Sequence, residues 1–546
     1  MSVARSSLIM AAGTVTSRAL GFARAVLLAA MIGVTTNAAD AFGVANQLPN
    51  NVWAIIAGGV LNAILVPQLV KARAHSDGGA GYINRLLTLA IVVFGGIAIL
   101  ATVAAPLLVN IYTSGWKPSH LALATAFAYW CLPQLFFYGL YSMLGEVLNA
   151  RSAFGPYMWA PVLNNVVSLA GMVAYILIFG LDPTGKTSVD NWGYSQISLL
   201  AISATAGVAA QAVILLFAWR RIGLHFKPNF QWRGFGLAPA LRAGAWTLAM
   251  VLATQIAGIF QTSVASSAVE GRAGGNVASV AASSIAWLIF MLPHSVGTVS
   301  LATVYFTRIA THAHDGRMDD VKQDLRDGIR LVALISLLAT AALIVLAYPI
   351  SRVFVGEYAG TAALAQVLVA FLVGLLPFSV GFFLQKAFYS LEDTKTPFWI
   401  TVLQSALYIA GALIIQVQVE PVHRVQALAF LTSSTVLIST MLYYVLLRRR
   451  IGVFGAGIFA SMCRFAIAAA AGGLLGKVGL DSIGGTGPGS FAVQSVLNAT
   501  LASGVVGLTV LVGFVATLWI IRAPEFKLVS ALAKALGSRL RGMRKR

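Results

Sequence analysis

The sequence predicts an all-α polytopic membrane protein, and three observations lead to that prediction. Of its 546 residues, 58% are hydrophobic and only 10% are charged, whereas soluble domains carry about 25% charged residues. Apolar segments that reach the roughly 20 residues needed to cross a bilayer recur along the whole chain. Landmarks of the first half also return in the second half in the same order. The composition therefore excludes a soluble domain held by a single anchor.

Fourteen apolar segments are each expected to form a membrane-spanning helix. Most of the 37 Lys and Arg residues fall in the loops on one side of this arrangement. By the positive-inside rule that side is cytoplasmic, and both termini lie there. The net charge of +20 then reflects topology and contact with anionic lipid rather than binding to nucleic acid. The segments are 6–34, 40–70, 86–112, 120–148, 157–180, 195–219, 238–268, 277–306, 328–351, 361–390, 397–417, 424–447, 454–476 and 493–521.

The first two segments carry charges that a bilayer does not readily accept. Arg18 and Arg24 lie in the first segment, and Asp40 begins the second. A charge at the centre of a spanning helix costs about 3 kcal/mol on insertion scales, so such residues usually face a water-filled cavity or a partner. Two simpler interpretations stay open. An arginine near a helix end can extend to the interface, and Asp40 can cap the second helix.

Arginines in a membrane cavity favour an anionic ligand. Their planar guanidinium group suits the oxygens of carboxylates and phosphates. Arg18 and Arg24 point about 120° apart around an α-helix, so they would line one cavity from two sides. The residues therefore indicate an amphiphilic anion whose apolar part remains in lipid.

Three further polar residues lie in the first half. Glu146, near the inner end of the fourth segment, is either a cavity acid or an interfacial partner for Arg151. Asn164 and Asn165 lie early in the fifth segment. Amides inside membranes usually form hydrogen bonds between helices, so packing is the first interpretation of both asparagines.

The second half repeats the first. Leu48-Pro49 recurs as Leu292-Pro293, and Leu132-Pro133 recurs as Leu376-Pro377 at the same offset. Because the repeated unit has six segments, an even number, both copies insert the same way up. This predicts a parallel repeat about an axis along the membrane normal, which many transporters use.

The repeat predicts four regions. Residues 1–235 form an N-lobe of six helices, and residues 236–452 form a C-lobe of six helices. Residues 453–522 add a helix pair outside the repeat. The basic tail at 523–546 has an apolar stripe that is typical of an amphipathic helix on the inner leaflet, and a disordered basic tail is the alternative.

Several enzyme classes lack their signatures here. No phosphate-binding GxxxxGK[ST] loop, metal-binding motif or nucleophile elbow appears. The two cysteines, Cys131 and Cys463, lie in separate apolar segments and build neither a disulfide framework nor a metal cluster. His294 is alone in its segment and is expected to pack. We therefore predict no catalytic residue, metal or cofactor, and coupling to an ion or to the membrane potential stays open.

Four stretches carry a resemblance to a known family. They read TSRALGFAR at 16–24, ADAFGVANQLPN at 39–50, PVLNN at 161–165 and AFYSLEDTKTP at 387–397. The chain resembles the MurJ (MviN) lipid II flippases of the multidrug/oligosaccharidyl-lipid/polysaccharide exporter superfamily. The first and last of these stretches are the most specific, and the resemblance covers the whole chain.

The resemblance implies two six-helix lobes around a central cationic cavity. It implies that lipid II, the lipid-linked disaccharide-pentapeptide of peptidoglycan synthesis, crosses the bacterial cytoplasmic membrane from inner to outer leaflet by alternating access. It also implies that the last helix pair shapes a groove for the polyprenyl tail. The substrate-binding candidates are Arg18, Arg24, Ser17, Asp40 and Asn50. The secondary candidates are Asn62, Glu146, Asn164, Asn165 and Lys386.

The chain departs from the family pattern at three places. Trp53-Ala54 stands where many members have an arginine pair, and Gly58-Gly59 stands where they have Glu-Gly. Trp287-Leu288 replaces an Asp-Arg pair. No acid lies early in the eleventh segment, where some members have a sodium site. The cavity is therefore expected to be less cationic, and ion coupling is left open.

Two other functions compete with lipid II transport. The first is transport of another substrate within the superfamily, such as a polyprenyl-pyrophosphate-linked glycan; a cationic drug fits less well because buried carboxylates are scarce. The second is a scaffold that recruits cell-wall synthesis proteins through the basic loops and tail. Expected partners are lipid II, membrane lipids and such wall-synthesis proteins, with no nucleic acid.

Overall fold

The computed structural model is all-helical over the residues that it describes, and no strand occurs among them. The loop expected after the second segment, Asn62 and most of the basic tail lie outside these residues. The described residues are 3–57, 80–151, 153–221, 226–231, 237–274, 276–524 and 526.

The first of two compact units comprises Met1–Ile285, Phe354–Gly360 and Thr401–Leu428. Its helices begin and end at residues suited to those positions: Thr36 caps the second helix, and Pro118 starts the fifth. The helices are α1 (Val3–Ile32), α2 (Asn37–Ile56), α3 (Ala80–Val103), α4 (Ala105–Tyr112), α5 (Pro118–Cys131), α6 (Gln134–Ala150), α7 (Phe154–Phe179), α8 (Tyr194–Arg221) and α9 (Leu237–Ser267).

Small residues allow close helix packing in this unit. Helix α7 lies along α8 and also contacts α1. A side chain at Gly207 would collide with Asn164 and Ser168, which places the two backbones in close contact. Small residues support such contacts in membranes, where the hydrophobic effect does not drive helices together. An apolar cluster that includes Leu144 and Leu215 fills the space between α3, α6 and α8.

The second unit comprises Ala286–Val353, Thr361–Ile400 and Ala429–Arg546. Helices α10, α16 and α17 contribute residues to both units. A short π-helix, His294–Thr298, separates α10 from α11 just after Pro293. The helices are α10 (Val280–Pro293), α11 (Val299–His314), α12 (Met318–Val345), α13 (Ala347–Phe354), α14 (Tyr358–Leu372), α15 (Leu375–Ser390), α16 (Lys395–Gln418), α17 (Arg424–Ile451), α18 (Ile458–Ser482), α19 (Phe491–Gln494) and α20 (Val496–Ile520).

Helix breaks recur in the two halves of the sequence. Ala104 separates α3 from α4, and Leu346 separates α12 from α13. The Leu132-Pro133 pair separates α5 from α6, and Val373-Gly374 separates α14 from α15. The same order of breaks in both halves agrees with the internal repeat read from the sequence.

The prediction of a polytopic helical membrane protein is confirmed. Twelve helices among the described residues are long and apolar enough to cross a membrane, and a thirteenth is the α14–α15 pair, bent by 43°. The second expected segment, 40–70, is described only as far as residue 57. The lobe boundaries at 235 and 452 stay predictions.

The contact between α18 and α20 gives a test of the packing. A Cβ atom on Gly472 would lie 2.6 Å from the Val510 carbonyl oxygen and 2.9 Å from the Phe514 nitrogen. Gly472→Val should therefore separate the two helices and destabilise the protein by about 1–3 kcal/mol. Thermal unfolding in detergent measures this change. The control is Gly504→Val, because nothing lies within 4 Å of a Cβ at Gly504; equal melting temperatures for the two variants would contradict the packing.

Candidate functional site

A cavity of about 370 Å³ with several amide side chains in a mainly apolar lining lies in the first unit, between α1, α2, α6 and the start of α10. Its polar groups come chiefly from one face of α2, and Asn50 is among them, as expected for a substrate-binding candidate. Its lining residues are Ala25, Leu28, Ala29, Ile32, Gly33, Ala39, Phe42, Gly43, Asn46, Gln47, Asn50, Tyr138, Ala281, Ser284 and Ile285.

Arg24 is not a lining residue of this cavity but is linked to it by sequence and by an electrostatic contact. It precedes Ala25, a lining residue, and it interacts electrostatically with Tyr138, another lining residue. The side chain is partly buried. Among the residues that the structure describes, no carboxylate oxygen lies within 4 Å of its guanidinium group. Arg24 is therefore a cation that an anionic ligand in the cavity can satisfy.

A hydrogen-bond network holds Tyr138 in place. Its hydroxyl donates to Gln134 Oε1 at 3.0 Å. Gln134 is 1% exposed, and its Nε2 donates to Asn46 Oδ1 at 3.2 Å and to Thr205 Oγ1 at 3.1 Å. Thr205 in turn donates to the Trp130 carbonyl at 2.7 Å. This network was not predicted from the sequence. The one signal for it was Gln134, a polar residue within an apolar segment directly after Leu132-Pro133.

Arg18 and Arg24 differ in their exposure and in their neighbours. Arg18 is exposed whereas Arg24 is partly buried, and neither is a lining residue of the cavity. Ser17, the neighbour of Arg18, lies at the contact between α1 and α7, where Asn165 Nδ2 donates to the Ser17 carbonyl at 2.9 Å and to its hydroxyl at 3.3 Å. Asn164 donates to Gln211 on α8 at 2.8 Å. Both asparagines thus form the bonds between helices that were their first interpretation.

Asp40 forms a hydrogen bond with a residue that is distant in sequence. It is 0% exposed, and its Oδ1 accepts the backbone N–H of Ala281, the second residue of α10, at 2.9 Å. Thr36 is the residue that caps α2, because its hydroxyl accepts the Ala39 N–H at 3.1 Å. Asp40 also lies in the first turn of α2, and its role in capping that helix stays a prediction. A carboxylate at the amino end of α10 also complements the helix dipole.

The short link between α1 and α2 forms a second set of contacts. Thr35 donates to Asn276 Oδ1 at 2.9 Å, and Asn276 Nδ2 donates to Glu357 at 2.8 Å. Gly33 has φ +81° and leaves no room for a side chain, because a Cβ there would lie 2.5 Å from the Pro183 carbonyl oxygen. Together with Asp40, these contacts connect the α1–α2 link to the segments before α10 and before α14.

The loop that packs on Gly33 is itself closed by Asp182. The Asp182 N–H donates to the Met31 carbonyl at 2.9 Å. Its carboxylate accepts the N–H groups of Lys186 at 2.7 Å and Thr187 at 2.8 Å. Burial is the largest single influence and raises the pKa of Asp182, but the N–H donors together outweigh it and hold the pKa below its usual range. The loop thus keeps its shape with an ionised Asp182.

A third set of contacts holds the end of α9. The Ser266 hydroxyl accepts the Ser114 N–H at 2.8 Å, and its carbonyl accepts the Trp116 ring N–H at 3.0 Å. Arg424, at the start of α17, donates to the Ser267 hydroxyl at 2.8 Å and to Glu270 at 2.9 Å. The carboxyl end of α9 is therefore tied to two separate segments of the same unit.

The remaining candidates lie away from this cavity. Glu146 interacts electrostatically with Tyr157, and its pairing with Arg151 stays a prediction. Lys386, in the second unit, lies over the rings of Phe382 at 5.5 Å and Tyr389 at 5.7 Å. These are cation–π contacts.

Aromatic packing occupies two positions where the family resemblance leads one to expect charges. Trp53 meets Phe94 edge to face at 5.5 Å between ring centroids. In the second unit, Trp287 stacks on Phe290 at 5.0 Å and contacts Phe371 at 5.5 Å. These positions are therefore filled by apolar contacts. Gly58, the third departure, lies outside the described residues.

Fold and cavity together define a class of protein: a polytopic helical membrane protein with an internal cavity that carries amide side chains. A solved structure described as "Lipid II flippase MurJ, inward closed conformation" has a similar fold, with a TM-score of 0.71 and 17% identity over 94% of this chain and 99% of that chain. An inward-facing multidrug resistance MATE family transporter of the MOP superfamily gives a TM-score of 0.61 with 17% identity, over 79% of this chain and 98% of that chain.

The sequence comparisons define the family more narrowly. The sequence model of the family described as "Lipid II flippase MurJ" matches residues 28–483. Proteins named "Probable lipid II flippase MurJ" from Borreliella burgdorferi and Rickettsia prowazekii are each 26% identical, covering 82% and 73% of this chain and 83% and 76% of their own lengths. The chain belongs to the MurJ lipid II flippase family, a family of transporters rather than enzymes.

The bond between Asp40 and Ala281 predicts a difference between two substitutions. Asp40→Ala leaves a buried N–H without an acceptor, which costs about 1–3 kcal/mol. Asp40→Asn keeps an acceptor oxygen at the same position and should retain more of the stability. Thermal unfolding of both variants in detergent checks this. If Asp40→Asn were as unstable as Asp40→Ala, the negative charge, rather than the hydrogen bond to Ala281, would carry the stabilisation.

Proposed function

We propose that this protein moves lipid II from the inner to the outer leaflet of the bacterial cytoplasmic membrane. Membership of the MurJ family supports the substrate, because the curated relatives carry the name of a probable lipid II flippase. The single structural observation that carries the proposal is Arg24, a partly buried arginine that interacts electrostatically with Tyr138, a lining residue of the cavity. Within the described residues, that arginine has no carboxylate within 4 Å.

The charge at Arg24 suits the chemistry of this substrate. Lipid II carries its headgroup on a pyrophosphate, and guanidinium groups bind phosphate oxygens with short, charge-assisted hydrogen bonds. The amide groups of Asn46, Gln47 and Asn50 add donors and acceptors for a polar headgroup. The polyprenyl tail stays in lipid throughout. No bond is made or broken, so the protein needs neither a catalytic residue nor a cofactor, only different affinities in two states.

The contacts of the α1–α2 link support alternating access. The charge bias of the loops places both termini in the cytoplasm and therefore this link on the outer side. There Asp40, Thr35 and Ser266 each bond to a residue more than 100 positions away in sequence. We propose that these bonds close the outer side while the substrate enters from the inner leaflet. Each is worth about 0.5–1.5 kcal/mol net, so differential substrate binding can offset their loss.

The aromatic side chains of Trp53 and Trp287 favour an alternative substrate. Trp53 and Trp287 pack against other rings where the family pattern has charged residues. A cavity with fewer charges suits a different glycan on the same polyprenyl pyrophosphate carrier. The pyrophosphate, which Arg24 would contact, is common to both substrates. The outer-leaflet assay for lipid II described next separates the two proposals.

Replacement of Arg24 tests the substrate site. In cells depleted of this protein, wild type should restore lipid II at the outer leaflet, whereas Arg24→Ala should lower that signal at least about tenfold. Arg24→Lys keeps the positive charge but loses the planar guanidinium group that binds phosphate through two hydrogen bonds. The lipid II signal for this variant should therefore be intermediate. The matched control is Arg317→Ala, an exposed arginine in the second unit that pairs with Asp315 at 2.8 Å. Arg18→Ala is measured beside them, because Arg18 remains a substrate-binding prediction.

Two outcomes of that experiment would count against the proposal. Full transport by Arg24→Ala would remove Arg24 from the substrate site. An unchanged outer lipid II level on depletion, in cells with no second flippase, would reject lipid II as substrate and favour the other glycan. Membrane levels of each variant are measured in parallel, so that loss of the protein is not read as loss of transport.

A disulfide across the outer contact tests alternating access. Thr35→Cys combined with Asn276→Cys replaces a side-chain hydrogen bond of 2.9 Å with a cysteine pair. Oxidation should stop transport, and reduction should restore it, because the outer side must open in each cycle. Each single cysteine variant serves as control and should respond to neither treatment. Transport that continues with the disulfide formed would contradict the outer closure.

A further inference from the structure

A second cavity, of about 280 Å³, lies within the second unit and is not part of the Arg24 site. Four elements surround it: α11, α12, α18 and the residues just after α20. Its floor is apolar, and its rim carries one basic, one acidic and one phenolic side chain. The lining residues are Tyr305, Asp327, Arg330, Leu331, Leu334, Phe465 and Pro524.

Arg330 has an unusual position on the rim. Its Nε atom is buried and has no hydrogen-bond partner. Its Nη2 atom is directed at the start of α18, where a Cβ atom on Gly457 would lie 2.6 Å away. In the part of the chain that the structure describes, no carboxylate oxygen lies within 4 Å of Arg330. A guanidinium group in this condition is costly unless a ligand or water satisfies it.

Asp327 lies one helical turn before Arg330 and lines the same cavity. The two side chains do not form an ion pair with each other, since their charged atoms are more than 4 Å apart. Side chains three residues apart on a helix have Cβ atoms about 5–6 Å apart. The rim therefore presents a cation and an anion side by side, with space between them.

Other charged residues on α12 differ from Asp327 and Arg330 because they have partners in the protein. Asp324, one turn earlier on α12, is 2% exposed and pairs with Arg308 at 2.6 Å. His312 Nδ1 lies 3.0 Å from its other carboxylate oxygen, without hydrogen-bond geometry. Arg326 donates to the Phe454 carbonyl at 3.4 Å. These groups have partners that explain their positions in the fold. Asp327 and Arg330 have no such partners among the described residues, which sets them apart on the same helix.

The sequence of α12 places this cavity at a membrane surface. Charged residues occur from Asp319 to Arg330, and the following stretch, 331–345, carries none. Arg330 is thus the last charge before the hydrocarbon region, at the depth of lipid headgroups. The floor residues Leu331, Leu334 and Phe465 continue towards the hydrocarbon. By the charge bias of the loops, this is the inner surface.

We propose that this cavity binds a phospholipid of the inner leaflet whose headgroup carries both a phosphate and a primary ammonium, as in phosphatidylethanolamine. Arg330 binds the phosphate, and Asp327 accepts hydrogen bonds from the ammonium. Leu334 and Phe465 contact the first carbons of the acyl chains. A headgroup with adjacent opposite charges matches adjacent opposite charges on the rim. The volume suits the headgroup alone, with both chains outside in the bilayer.

Lipid binding to the purified full-length protein tests the proposal. Native mass spectrometry in detergent gives apparent affinities for phosphatidylethanolamine, phosphatidylglycerol, inorganic phosphate and a polyprenyl phosphate. Arg330→Gln should weaken phosphatidylethanolamine binding about tenfold and should also weaken phosphatidylglycerol binding. Asp327→Asn should weaken phosphatidylethanolamine about as much but leave phosphatidylglycerol unchanged, because that lipid has no ammonium. Arg317→Gln, which removes an exposed charge near the start of the same helix, is the matched control and should bind like wild type.

Four results would overturn the proposal. Unchanged phosphatidylethanolamine binding by Arg330→Gln or Asp327→Asn would remove the corresponding contact. Inorganic phosphate bound as tightly as the lipid would make this an ion site. Preference for the polyprenyl phosphate would assign the cavity to the transport substrate. If the charge variants fail to fold, Leu334→Trp fills the floor with both charges intact, and normal lipid binding by it would reject the site. None of these measurements uses transport, so the flippase proposal is tested separately.

Discussion

Hydrocarbon offers no hydrogen bonds, and this constraint governs most of the structure. An unpaired polar group in such surroundings costs several kcal/mol, so each one must find a partner within the protein. Backbone groups meet the requirement by forming helices. Side chains meet it by pairing between helices: Gln134 with Asn46 and Thr205, and Asn164 with Gln211. The fold is in large part the arrangement in which these demands are met together.

Against that background, charged groups that form no ion pair within the described residues are informative. Arg24 interacts with a lining residue of one cavity, while Arg330 and Asp327 line another. The two cavities differ in character. The first is lined by amides and by small and apolar residues, and Arg24 interacts electrostatically with one of its lining residues. The second is smaller and presents opposite charges together with apolar residues. The first is the proposed site for the anionic group of the transported lipid, and the second is the proposed site for the headgroup of a resident lipid.

The aromatic clusters explain how the chain does without some of the charges that its family resemblance leads one to expect. Trp53 and Trp287 each contact at least one other ring, so neither leaves a void or an unpaired charge. Replacing charged groups by packed aromatic rings removes a desolvation cost and adds dispersion. The cavity then depends more heavily on its remaining arginine. Substrate discrimination in this protein is accordingly expected to rest on few charges and on the shape of the α2 face.

The sequence by itself determined the class of protein, since hydropathy and charge bias act locally and additively along the chain. It also pointed to Arg24, because an arginine within an apolar segment is conspicuous without any structure. Tertiary structure decided what local patterns do not contain. It left Arg18 exposed and Arg24 partly buried, gave Asp40 a partner 241 residues away, and bonded Gln134 to the cavity residue Tyr138. It also left Asp327 and Arg330 on one rim without partners among the described residues. Such pairings depend on how distant helices pack, and packing is set by the whole chain at once.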